Sequence, residues 1–271
     1  MKKFISVIVL LIVGATALAA DLNGELRINL ESHNSHTTLK YDKTVLSLSG
    51  NLQANTIKVA VDLEETNIAV AEAYIKMGSI VVGKYKTPFG IGNYGIKTPL
   101  AVRNWNGERV MGLWLMGQAS MPAEYIVGFL NNQSQEMGKK QVGWLKYKLN
   151  KDLSLYGSLL NKEDGKTICS LGGLYLAGDL EFSGEYIAGQ SVGDIFGIVL
   201  KGQYTVAPAW DLYGIFSQIN KNANNNPAEY REIIVGSKYS IARGLDWETE
   251  YMIDSDESQN KFFVSRLKAR F

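Results

Sequence analysis

From residue 23 to its last residue, the chain alternates. "NGELRINLE" sets Leu26, Ile28 and Leu30 on one side and Glu25, Arg27, Asn29 and Glu31 on the other. "TIKVAVDLE" sets Ile57, Val59, Val61 and Leu63 against Lys58, Ala60, Asp62 and Glu64. "DLSLYGSL" and "LDWETEYMI" repeat the pattern. A period of two describes a strand with one apolar and one polar face. No helical period of comparable quality competes with it.

The spacing predicts sixteen strands, near 23–31, 44–53, 56–66, 68–77, 79–87, 108–119, 122–132, 140–149, 152–162, 167–177, 179–189, 195–206, 209–220, 229–240, 244–253 and 260–271. Fourteen follow if two hairpins merge into long loops. Most are about ten residues, enough to cross a bilayer when tilted. Tight connections such as Gly78, Gly178 and Ala207-Pro208 alternate with longer polar ones. Short turns on one rim and long loops on the other describe an all-β, transmembrane antiparallel barrel. A soluble β-sandwich is the alternative, and so many half-apolar strands are hard to bury in one. An edge-free barrel satisfies every backbone group and leaves the apolar faces to lipid.

Residues 1–20 read as a secretory signal peptide: Met1-Lys2-Lys3, an apolar run from Phe4 to Val13, then Ala17-Leu18-Ala19. Residues 21–271 read as one barrel domain. Removing Lys2 and Lys3 takes the net charge from +1 to −1, so no charge excess points to nucleic acid. Cys169 is the one cysteine, so no internal disulfide framework exists. His33 and His36 lie in a polar loop with no nucleophile–base set about them. Neither an enzyme, a metal site nor a cofactor is expected.

The last strand, "NKFFVSRLKARF", places Arg266, Lys268 and Arg270 on its polar face. One antiparallel register sets Arg270 opposite Asp246, Lys268 opposite Glu248 and Arg266 opposite Glu250. It also sets Phe271 opposite Leu245 and Tyr251 opposite Ser265. Opposite charges stabilise such a ladder by roughly 0.2–1 kcal/mol a pair. Glu25 and Glu31 of the first strand complete the neutralised wall when the barrel closes. A terminal Phe271 on an alternating strand resembles the signal read by the barrel-assembly machinery.

The longest connection, "TPFGIGNYGIKTPLAVRNWNGER", carries Phe89, Ile91, Tyr94, Leu100 and Trp105. Folding this third loop into the lumen buries them and narrows the bore. Residues 84–109 hold Lys84, Lys86, Lys97, Arg103 and Arg109 against Glu108 alone. Lys84 and Lys86 share parity and are expected to face inward, with Val81, Gly83 and Tyr85 toward lipid. Cations at a constriction favour anions. Glu72 is a candidate to neutralise one of these lysines.

"AYIKMGSIVVGKYKTPFG", from Ala73 to Gly90, resembles a segment of bacterial outer-membrane porins, within them the phosphate-selective O and P type. The resemblance implies a sixteen-stranded, commonly trimeric channel with the third loop at its narrowest point. The second loop, which latches subunits in many trimers, is almost missing here. Ala69, Ala71 and Ala73 offer a small-residue face for a homotrimer or simply for lipid. The expected function is passive diffusion of small hydrophilic solutes across a bacterial outer membrane, with a weak anion preference. A non-conducting barrel for adhesion or anchoring is the rival.

Overall fold

The computed structural model describes residues 21–33, 36–52, 55–63, 68–91, 109–118, 122–131, 137–162, 165–190, 193–223, 226–254 and 261–270. Residues 1–20, the loop residues 92–108 and Phe271 lie outside them. Sixteen antiparallel strands close into one barrel. They are β1 Asp21–His33, β2 His36–Leu52, β3 Asn55–Leu63, β4 Ile68–Met77, β5 Ile80–Lys86, β6 Arg109–Gln118, β7 Ala123–Asn131 and β8 Met137–Lys148. Then follow β9 Leu153–Asn161, β10 Thr167–Ala177, β11 Leu180–Gln190, β12 Gly193–Ala207, β13 Trp210–Ala223, β14 Asn226–Ala242, β15 Leu245–Asp254 and β16 Lys261–Arg270. Each strand pairs with its chain neighbours, and β16 closes on β1.

The wall sorts its residues by parity. Met111, Leu113, Leu115, Leu155, Leu171, Phe182, Leu200, Ile233 and Leu267 are exposed. The alternate positions are buried or charged, and face the lumen. An apolar outer face with no edge fits the hydrocarbon layer. Exposed aromatics form two belts. Tyr175, Tyr204, Trp210, Tyr239 and Trp247 stand near the short turns; Phe129, Tyr186, Phe196, Tyr251 and Phe263 stand near the long-loop ends. On β12, Phe196 and Tyr204 are eight residues apart. That is about 26 Å along the strand, or about 20 Å along the axis at a ~40° tilt. The indoles of Trp210 and Trp247 donate to the hydroxyls of Ser237 (2.8 Å) and Ser265 (2.7 Å) on neighbouring strands. Their polar edges are thus satisfied within the wall itself.

Three features depart from the sequence reading. First, β1 and β2 run on to His33 and His36, and β13 and β14 to Ala223 and Asn226. On β2 the extension sets Leu39 and Tyr41 opposite Leu30 and Ile28, but a bulge between Tyr41 and Lys43 shifts the parity, so the alternation is broken there. Second, a bulge in β4 pairs Ala60 with Glu72 but Val61 with Val70. Ala71 is the extra residue and is buried, Ala69 stands opposite Asp62, and Val70 is exposed. The expected outward row of alanines does not form.

Third, β15 and β16 pair two residues away from the expected register. Asp246 faces Lys268, Glu248 faces Arg266, Leu245 faces Ala269 and Tyr251 faces Phe263, while Glu250 faces Val264. The offset is even, so the same faces meet. β16 must satisfy β1 as well as β15, and β1 sets Glu25 opposite Arg270 and Asn29 opposite Arg266.

Candidate functional site

The lumen has two unlike walls. Ladder partners share a face, so lumen positions can be followed from strand to strand. Val81, Trp114, Gly128, Val142, Leu160, Ile168, Gly189 and Ile195 form one continuous row from β5 to β12. Lys76 stands at one end of it and Lys221 at the other. Its apolar members are buried. Gly128 makes room for Trp114: a Cβ there would sit 2.5 Å from the indole ring.

The opposite wall, β14 to β16 and β1 to β4, is ionic. Glu25 pairs with Arg27, with Lys268 (3.3 Å) and with Arg270 (3.7 Å). Asp246 pairs with Arg270 and with Lys238 (4.0 Å). Arg266 reaches Glu248 (3.9 Å), and its Nε donates to Asn29 (2.9 Å). Lys58 pairs with Glu72 (2.8 Å). The six ladder residues expected from sequence therefore share this wall, although two partners are exchanged. Arg270 meets Asp246 on the diagonal, Arg266 meets Glu248 and Lys268 meets Glu25. Glu250 instead accepts the Tyr213 hydroxyl (2.7 Å). Tyr213, Gly236 and Glu250 lie in one register row, so the ring crosses the bare glycine to reach the carboxylate.

The third loop starts inside the barrel. After β5 the chain turns inward, and Thr87 and Phe89 are buried. Phe89 joins the buried apolar cluster. Gly90 is held from two strands: its N–H donates to Ser158 Oγ on β9 (2.8 Å), and its carbonyl accepts from Trp144 Nε1 on β8 (3.0 Å). The Ile91 N–H donates to Glu185 on β11 (3.3 Å). The Ile91 side chain fits over Gly172 of β10, 2.9 Å from where a Cβ would stand. Gly90 has φ +70°, and a Cβ on it would run into the Glu185 carboxylate. Only glycine meets both demands. Four neighbouring strands thus fix the mouth of the loop against the far wall.

The expected constriction cations are placed differently. Lys84 stands opposite Met111, and Lys86 opposite Arg109. Met111 is exposed, as are Ile80 and Val82 of the same parity. Lys84 and Lys86 therefore lie on the outer face, while Val81, Gly83 and Tyr85 face the lumen. Tyr85 packs edge-on against Tyr74 (5.1 Å) and Trp114 (5.4 Å). Sequence alone does not fix this parity, because Val81 and Tyr85 suit lipid and a packed lumen wall equally well. Glu72 pairs with Lys58. Lys97 and Arg103 lie outside the described residues, as does Phe271. Lumen cations that sequence did not single out include Lys146, over the Tyr156 ring (5.6 Å), and Lys221, over Tyr230 (5.3 Å). Among the described residues no cluster of three metal-ligating side chains occurs.

No family model matches the chain, and no curated protein matches it. The fold does match solved structures. The trimer form of OmpT, an outer-membrane protein of Vibrio cholerae, superposes with a TM-score of 0.77 at 13% identity, covering 93% of this chain and 99% of that one. The outer-membrane channel DcaP of Acinetobacter baumannii gives 0.72 at 11%, covering 93% and 97%. A mutant of the Rh. blastica porin gives 0.71 at 14%, covering 93% and 100%. At such identities the likeness is one of fold.

Proposed function

We propose that the chain is an outer-membrane channel for passive diffusion of small hydrophilic solutes. The entry of residues 87–91 into the lumen, and their attachment across β8 to β11, supports this reading most directly. A loop pinned to one wall leaves the passage along the other, where paired ions stay partly exposed: Lys58 at 32%, Lys238 at 37% and Arg270 at 48%. Sixteen strands enclose an aqueous bore. A wall of neutralised charges holds water without trapping an ion, as a diffusion channel requires. The structural neighbours that are named as channel and porin agree in fold.

A weak anion preference belongs to the same proposal, with its carriers revised. Lys97 and Arg103 of the third loop are retained on sequence grounds. Lys146 and Lys221 replace Lys84 and Lys86 on the lumen wall. The test is purified protein in a planar bilayer under a KCl gradient. Stepwise conductance with a chloride-favouring reversal potential is expected. A potassium-favouring potential removes the anion preference, and folded protein without conductance removes the channel.

A further inference from the structure

The chain has two histidines, His33 and His36. Their surroundings in sequence suggest a polar loop, yet both are strand residues. β1 ends at His33, β2 begins at His36, and the register sets the two directly opposite each other. The pairing holds to the tip of this hairpin. Ser32 stands opposite Thr37, and the Thr37 hydroxyl donates to Ser32 Oγ (3.3 Å). Residues directly opposite in an antiparallel pair share a face, with Cα atoms about 4.5–5.5 Å apart. Successive residues alternate, so the histidines occupy the face that Ser32 and Thr37 do not.

That face is the inner one. Glu31 shares it, two residues before His33 on β1. Val264 of β16, opposite Glu31, is fully buried, and Phe262 of β16 stands opposite His33. The hairpin tip lies on the long-loop rim, the outward one in barrels of this type. The two histidines therefore stand at the outer mouth of the bore, beside the seam where β16 closes on β1.

Two imidazole-bearing residues at opposed positions match two adjacent ligand positions of one divalent ion. Imidazole suits zinc, copper and nickel, whereas magnesium and calcium take oxygen ligands. Once one imidazole has bound, the second binds within the same molecule, which strengthens the pair beyond either alone. Glu31 on the same face adds negative charge beside the ion.

We propose that His33 and His36, opposed at the tip of the β1–β2 hairpin, form a two-histidine site for a divalent metal ion of the zinc, copper and nickel kind. Water fills the remaining ligand positions, so the site is open to exchange from outside. The site goes beyond the channel reading and does not depend on conductance.

The test is calorimetric titration of untagged, chelator-treated protein in detergent, with Zn2+ and with Mg2+. Wild-type protein is expected to bind a single Zn2+ per chain and no Mg2+ over the same concentrations. His33→Gln and His36→Gln are each expected to weaken zinc binding about tenfold or more. The double variant is expected to be little worse than either single one, because each loss already breaks the chelate. Cys169→Ser, which removes the one thiol of the chain, is expected to bind as wild type does. Cu2+ in the same samples gives a second readout: paramagnetic resonance should show two nitrogen ligands in wild type and fewer in either single variant. Should one single variant not fold, the other carries the same test. Zinc bound no more tightly than magnesium by wild-type protein overturns the proposal. So does zinc binding that survives the double substitution or disappears with Cys169. Losses from the two single variants that simply add also overturn it, since they describe two separate weak contacts. None of these readings uses conductance, so failure of the channel reading is distinguishable from failure of the site.

Discussion

Gly90 combines two requirements that rarely meet in one residue, a left-handed backbone and no side chain. Gly90→Ala is expected to cost about 1–3 kcal/mol and to loosen the loop mouth, read as a lower unfolding midpoint and noisier open-channel current. Tyr213 makes a different kind of contact. Its hydroxyl serves Glu250 across Gly236. Tyr213→Phe keeps the ring and removes one hydrogen bond to a buried carboxylate, a loss of about 1–3 kcal/mol measurable by denaturant unfolding. Neither residue was legible as a site in the sequence. Glycine and tyrosine abound in this chain, and their roles depend on which strands lie beside them. The loop itself was legible, because Phe89 and Ile91 are too apolar to stay in water.

At the level of strands, the sequence carried more. Alternation located all sixteen elements, since a face that meets lipid must be apolar at every second residue. It lost track where the parity slips, as at the bulge of β2, and in the few residues that end β1, β13 and β14. Register was half legible. Charge matching placed the right residues on the right face, but pairing β15 with β16 alone could not include the demands of β1. Glu25 is where those demands meet, with three cations around it. Glu25→Gln is expected to destabilise barrel closure by about 1–3 kcal/mol, because the partly buried cations lose their partner. Glu229→Gln, which breaks the exposed Arg231 pair (2.5 Å), is expected to change stability by less than about 0.5 kcal/mol. Equal denaturation midpoints for the two variants would contradict this ranking.

On the scale of the whole barrel, the division between outer and inner face decides what each charge can do. Lys84 and Lys86 lie outside, so Lys84→Gln/Lys86→Gln is expected to leave the reversal potential within measurement error of wild type. A large shift would return these lysines to the conduction path. The same division sorts the tryptophans. Trp210 and Trp247 lie on the outer face with their indoles tied to Ser237 and Ser265. Trp114 and Trp144 are turned to the lumen, where one is buried and the other holds the loop. The chain therefore carries its own optical gauge of insertion. A bromine label on the lipid tails should dim the emission of the outer pair and spare the inner pair, so the quenched fraction tracks how many molecules have entered the bilayer.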